Sequence, residues 1–179
     1  MSDRQNWPVW ATQPIVLEDY DASRPQRALT LTAELQSLYH FGDSVFEHIG
    51  STSVPGLPAK PIIDLMVETD SFDTIDQIEQ ALLPAEWHMI PPVLDMRDQR
   101  RVFVKVVDNK RYAHLHIVTK ISNEMARHLA FRDLLRSNPT IAQAYLQLKK
   151  ELAAQYRDDR DAYSNGKNDF IRDVLNKNA

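Results

Sequence analysis

The chain of 179 residues contains no cysteine, so disulfides and thiolate metal sites are excluded. Glycine is scarce, with four in all, and two of them lie six residues apart at Gly50 and Gly56. No apolar run approaches the roughly 20 residues that cross a bilayer. The opening "MSDRQNWPVW" lacks a basic-then-apolar signal pattern, which is consistent with a cytoplasmic location. A surplus of positive charge is also missing: the net charge is -4. Broad nucleic-acid binding runs on cationic surface and is not expected, whereas a small anion held by a few local cations is allowed.

What is present is an ordinary globular composition, 43% hydrophobic and 26% charged. The length predicts one domain over 1–179. Its parts are an N-terminal arm over 1–22 with Trp7 and Trp10, an α/β core over 23–120, and a helical part over 121–179. Ala28, Leu31, Leu35 and Leu38 recur at helical spacing after Ser23, and Gly42 ends the run. "SVFEHI" (44–49) and "PIIDLMV" (61–67) read as strands, the second buried on both faces. "DSFDTIDQIEQALLP" reads as a helix stopped by Pro84. "RRVFVKVV" and "YAHLHIV" flank the turn signal "DNKR" and form a hairpin. Helices then follow over "NEMARHLAFRDLLRS", from Asn138-Pro139 through "IAQAYLQLKKELAAQY", and over "AYSNGKNDFIRDVL" with Gly166 inside it. The fold class is α+β with a small mixed sheet.

The densest chemistry lies in "EHIGSTSVPGLPAKPIIDLMV", residues 47–67. Gly50 lets backbone approach a ligand closely. Ser51, Thr52 and Ser53 add hydroxyls, and amides in such a turn can form an anion nest. Pro55, Pro58 and Pro61 stiffen the linker, and Lys60 places a cation before the strand. Asp64 sits in an apolar strand, where an ionised carboxylate needs a partner. Capping of a loop amide is the plain alternative. Strand alternation puts Asp64, Met66 and Glu68 on one face.

His114 and His116, two apart in a strand, also share a face, as a metal pair or as two structural histidines. His48 is a third candidate ligand. Neutral imidazoles with a carboxylate suit a transition metal better than magnesium, which prefers oxygen ligands. On the helical part, Arg132/Arg136, Tyr145/Lys149 and Tyr163/Lys167 are pairs four apart on a helix face. They present aromatic and cationic surface to a nucleotide, or serve as amphipathic rim residues.

With these residues in view, the chain resembles the GrpB-like proteins of the nucleotidyltransferase-fold superfamily. The resemblance rests on "HIGSTSVPGLPAKPIIDLMV", "HLHIV", "FRDLLRSNPTIAQAYLQLKKELA" and "AYSNGKNDFI", which together span roughly residues 44–172. It implies a nucleotidyltransferase-like small mixed sheet flanked by helices. In that superfamily a Gly-Ser turn leads to a strand with two acids one position apart, and a third acid follows on a later strand. Together they hold magnesium and a nucleotide triphosphate. Gly50-Ser51 matches the turn and Asp64 the first acid. The second acid is replaced by Met66, and His114 and His116 stand where a third acid is expected. Glu68 lies about 13 Å along an extended strand; Glu47 and Asp95 are the other acids the fold could recruit. Similar domains occur fused to dephospho-coenzyme A kinase, which implies a link to coenzyme A or adenine nucleotides.

Three readings follow. In a nucleotidyl- or phosphoryl-transfer enzyme, Asp64 and His116 are catalytic. Asp64, His114, His116 and His48 hold a divalent metal (magnesium, manganese or zinc). Gly50, Ser51, Thr52, Ser53, Lys60, Arg132, Tyr145, Lys149, Tyr163 and Lys167 bind phosphate and ligand. A nucleotide-binding or regulatory module keeps that pocket without turnover. A structural or interaction domain leaves the polar set without a purpose.

Overall fold

The computed structural model describes residues 8–95 and 97–178; Trp7 of the arm lies outside them. Five strands form one mixed sheet in the order β1-β2-β5-β4-β3. They are β1 (Glu47–Ile49), β2 (Ile63–Thr69), β3 (Trp87–Met89), β4 (Arg100–Val107) and β5 (Lys110–Thr119). Strands β2 and β5 run parallel, and every other pair is antiparallel. The helices are α1 (Arg24–Leu38), α2 (Ile75–Leu82), the single turn α3 (Pro92–Asp95), α4 (Glu124–Ser137), α5 (Pro139–Gln155), α6 (Arg160–Asn165) and α7 (Asn168–Lys177). Among the described residues no helix is long and apolar enough to cross a membrane.

The expected α+β class with a small mixed sheet is what forms. Three details differ. The first strand is shorter than 44–49, covering Glu47–Ile49. An additional strand, β3, forms at the far edge, too short to carry a periodic signal. The last helix is broken into α6 and α7 at Gly166. A Cβ there would lie 2.5 Å from Leu152 Cδ2, so the broken turn presses onto α5.

Alternation along the strands sorts the sheet into two faces. Ile63, Leu65, Val67, Phe103, Leu115 and Ile117 pack under α1 and α2, joined by Leu31, Leu35, Ile78 and Trp87. This is the main core. Burial of a leucine or isoleucine side chain stabilises by about 1.5–3 kcal/mol. The other face carries Asp64, Met66, His114 and His116, in register across β2 and β5. Strand β2 is therefore not uniformly apolar on this side. Met66 packs with Ile49, Val118 and Met125 beneath α4, while Asp64 stays partly exposed.

A helical layer completes that side. Phe131 and Leu135 of α4 and Tyr145 and Leu146 of α5 close over Val54 and Leu57 of the linker. The arm joins them. Ile15 buries against Leu152 and Tyr163, and Ile15 N–H donates to Arg157 O at 2.7 Å. The site lies between this helical layer and the β2/β5 seam.

Candidate functional site

The turn after β1 is preset by its own hydrogen bonds. Gly50 has φ +69° and ψ -172°, a conformation reserved in practice for glycine. A Cβ there would lie 2.8 Å from Asp64 Oδ2, so glycine is also demanded by close approach. Ser53 Oγ donates back to Gly50 O at 2.6 Å. Arg136 clamps the turn from α4, donating to Ser53 O through Nε at 3.0 Å and Nη2 at 2.8 Å.

The linker to β2 is held just as firmly. Arg24, 1% exposed, donates to Leu57 O and Asp19 O. Lys149, also 1% exposed, donates to Pro58 O. Ala59 and Glu18 exchange backbone hydrogen bonds. Positions 50–64 are thus a fixed track delivering Asp64 to the seam.

The parallel register places Asp64 opposite His114, and Met66 opposite His116. Asp64 Oδ1 receives His114 Nδ1–H at 2.9 Å and His116 Nε2–H at 3.3 Å. Burial works to raise the Asp64 pKa, but the hydrogen bonds from His114 and His116 outweigh it and hold the carboxyl well below its ordinary value. Burial in turn pushes His114 down to about 4, against the opposing pull of Asp64, and lowers His116 likewise. The trio is an ionised carboxylate receiving two neutral imidazoles.

Other residues named from sequence divide into two groups. Ser51, Lys60, Tyr163 and Lys167 join Gly50 around Asp64. Lys60 Nζ lies 5.2 Å from the Tyr163 ring centroid and Lys167 Nζ lies 4.5 Å from it. Tyr145, raised by burial and so protonated, turns its hydroxyl toward Ser51.

The second group is engaged in holding the scaffold. Thr52 and Ser53 are buried, with Thr52 Oγ1 bonded to His48 Nε2 at 3.0 Å. His48 registers with Leu65, not Asp64, and so belongs to the opposite face of the sheet from the trio. Lys149 is bound to the linker. Arg132 pins α4 to β1 through Glu47 at 2.8 Å and also pairs with Asp133.

Two cations that sequence reading did not single out also reach the site. Arg111 Nη1 lies 3.5 Å from His114 Nε2. It arrives there through a bulge: Lys105 pairs with Ala113 and Val106 with Arg111, so β5 spends one extra residue, Tyr112. The bulge reverses the alternation. Tyr112 packs toward the α1 side, leaving Arg111 beside His114. Arg160 comes from the start of α6, with Nη2 donating to Gln13 O at 3.2 Å. Gln13 Oε1 also accepts Arg111 N–H, and Trp10 O accepts Arg111 Nε–H. The arm thereby positions both guanidiniums. No periodicity marks these contacts, which join residues about 100 and 150 positions apart.

A metal is partly accommodated. Asp64, His114 and His116 each bring a ligand atom within 4.8 Å of the others, the one such group of three among the described residues. The outer shell does not match. Histidine ligands ordinarily donate their second ring N–H to an acceptor. His116 Nδ1 is buried with no partner, and His114 Nε2 faces the donor Arg111. Among the described residues, none of the other acids considered from the sequence is free to join. Glu47 pairs with Arg132, Asp95 pairs with Arg100, and Glu68 lies four residues along β2.

Comparisons with known proteins agree with this architecture. The chain is 39% identical over 134 residues to UPF0157 protein YqkA of Bacillus subtilis, covering 74% of this chain but 38% of that protein. It is 34% identical over 135 residues to the glutamate-rich protein GrpB of Alkalihalophilus pseudofirmus, covering 73% of this chain and 76% of that one. A protein of Mycobacterium bovis named dephospho-CoA kinase matches at 27% identity, over 78% of this chain and 40% of its own. The crystal structure of the conserved protein GrpB from Enterococcus faecalis superposes with a TM-score of 0.78 at 32% identity, covering 90% of this chain and 96% of that one. The GLD-2/RNP-8 complex aligns at a TM-score of 0.57 and 14% identity, over 88% of this chain and 59% of that one. Cid1, described there with RNA terminal uridylyl transferase activity, aligns at 0.50 and 18%, over 77% and 43%. These two show the fold alone, which is nucleotidyltransferase-like. The GrpB protein family profile matches residues 14–177, and the chain belongs to that family.

Proposed function

We propose that the chain binds a nucleotide or related phosphorylated small molecule beside Asp64, and that binding without turnover is its role. Met66 carries this reading. It occupies the position expected for a second metal-binding acid, is 1% exposed, and is packed among Ile49, Val118 and Met125. That position has been given over to core. With Glu47 and Asp95 held in ion pairs, a two-metal displacement lacks its carboxylates. The preset turn at Gly50, the hydroxyl of Ser51 and the cations Lys60 and Lys167 suit phosphate. Tyr145 and Tyr163 are 5% and 1% exposed and present no open ring face for a base. The dephospho-CoA kinase relative makes adenine nucleotides and coenzyme A precursors the first ligands to try.

A second reading, nucleotidyl or phosphoryl transfer with a metal, rests on the convergence of Asp64, His114 and His116 within 4.8 Å. In it, those three residues hold a divalent cation, which supplies Lewis-acid stabilisation of the transferring group. Asp64 and His116 then become the catalytic pair.

A thermal-shift screen of nucleotides and coenzyme A precursors, with EDTA, magnesium, manganese or zinc, separates the readings. A ligand at about 100 times its Kd adds about 2.7 kcal/mol. For a chain of this size that is roughly 5–10 °C in Tm. The expected result is a shift in EDTA that Asp64→Ala alters and that yields no pyrophosphate or transferred product. Turnover with any metal would overturn the binding-only reading. A flat screen under every condition would overturn the ligand class.

A further inference from the structure

Four cations from separate parts of the chain gather around the Asp64 trio: Lys60 from the linker, Arg160 from α6 and Lys167 from the α6/α7 turn feel Asp64, and Arg111 from β5 lies beside His114. Among the described residues none of the four forms an ion pair. Arg160 is the most exposed to this deficit in bonding terms: its Nε and Nη1 are buried without any hydrogen-bond partner. A guanidinium has five N–H donors, and leaving several buried and unmade is costly. Two carboxylates face the group: Asp64, whose Oδ1 is already shared by His114 and His116, and the exposed Asp161, which acts on Arg111 and Arg160. Four basic side chains against two carboxylates leave the site with an excess of positive groups.

We infer that Lys60, Arg111, Arg160 and Lys167 form a metal-independent site for a phosphoryl or diphosphoryl dianion, with Trp10 and Gln13 of the arm holding its two arginines in place. The inference rests on the reading of the Asp64 site as a phosphorylated-ligand site and names the groups that recognise phosphate there. A dianion answers the charge surplus and offers acceptors to the unused N–H groups of Arg160. The mutual proximity of the four is also felt in their ionisation. Burial, reinforced by Arg160 and Lys167, holds Lys60 well below its ordinary value. Burial pushes Lys167 down to about 8, against the pull of Asp64, and Arg111 down to about 9. Such crowding of like charge, opposed only by Asp64 and Asp161, is relieved by an anion. It is unfavourable to a divalent cation.

The test is calorimetric titration of the full chain with pyrophosphate in EDTA. Binding is expected, weakening as salt rises. Lys60→Met, Lys167→Gln and Arg160→Gln should each raise Kd at least tenfold. Arg127→Gln, on the exposed side of α4, should leave it unchanged. Lysine acetylation of the wild-type chain, read by mass spectrometry, supplies a measure independent of variant folding: pyrophosphate should protect Lys60 and Lys167. Binding that appears only when manganese or zinc is added would overturn the inference and leave the nucleotide reading intact. Pyrophosphate binding in EDTA with no nucleotide binding would support the inference and defeat the nucleotide reading. Unchanged Kd in all three variants, or unprotected lysines, would overturn it.

Discussion

Replacing Gly50 with alanine tests the geometry that joins the turn to Asp64. Two separable penalties are expected. The backbone at φ +69° and ψ -172° costs an alanine about 1–3 kcal/mol. The new methyl would also lie 2.8 Å from Asp64 Oδ2 and 3.3 Å from its Cβ, both tighter than ordinary contact. Asp64 cannot simply rotate away, because His114 and His116 both hold Oδ1. Overpacking of this kind adds about 1–3 kcal/mol. Their combination should lower Tm by roughly 5–20 °C. The two parts separate in a double-mutant cycle read by urea denaturation. In an Asp64→Ala background the carboxylate is gone, and Gly50→Ala should cost about 1–2 kcal/mol less than in wild type. The backbone share should remain. Strict additivity of the two changes would refute the close approach, and with it the claim that the turn is shaped around Asp64.

Met66→Asp restores the second acid of the nucleotidyltransferase pattern and should still create no metal-dependent activity. It buries a carboxylate among Ile49, Val118 and Met125 and should destabilise by roughly 3–5 kcal/mol in urea melts; a stable variant with manganese-dependent transfer would refute the account. Stability should rise with pH between about 7 and 10. Burial, then Lys167 and Arg24, push Lys149 from 10.5 in the unfolded chain down to about 7 in the folded one. Below that value both states are protonated and the folded chain bears the full penalty. Across the window only the unfolded chain binds the proton, so stability increases by at most about 1.4 kcal/mol per pH unit for this group. Lys149→Met should flatten that rise between pH 7 and 9 even though it loses the bond to Pro58 O. An undiminished rise would show that Lys149 titrates normally.

Much of the fold follows from spacing. Period-2 runs in β4 and β5 and period-3.6 runs in α1, α4 and α5 are strong enough to place those elements. Strand alternation by itself put Asp64 and Met66 on one face and His114 and His116 on one side of their strand. It did not bring the two pairs together. That required the parallel β2/β5 register, which forms only when both strands bury their other face against α1 and α2. His48 shows the same limit: its place beside the Gly50 turn made it a plausible ligand, and the antiparallel register turned it to the far face.

The tail lysines and arginines were harder still. Tyr/Lys and Arg/Arg pairs at one-turn spacing look equivalent in the sequence, yet Lys149 and Arg136 became clamps on backbone carbonyls while Lys167 forms no ion pair among the described residues and lies over the Tyr163 ring. The difference lies in which carbonyls the folded linker leaves without partners. Arg111 needed a bulge at Tyr112, and Arg160 needed the arm to cross from Trp10 to Gln13. The sequence by itself determined the elements, the Gly-Ser turn and the replacement of an acid by Met66, because these are local. Tertiary structure decided which charges meet and which are consumed, because hydrogen-bond partners distant in the chain are assigned only when the layers close.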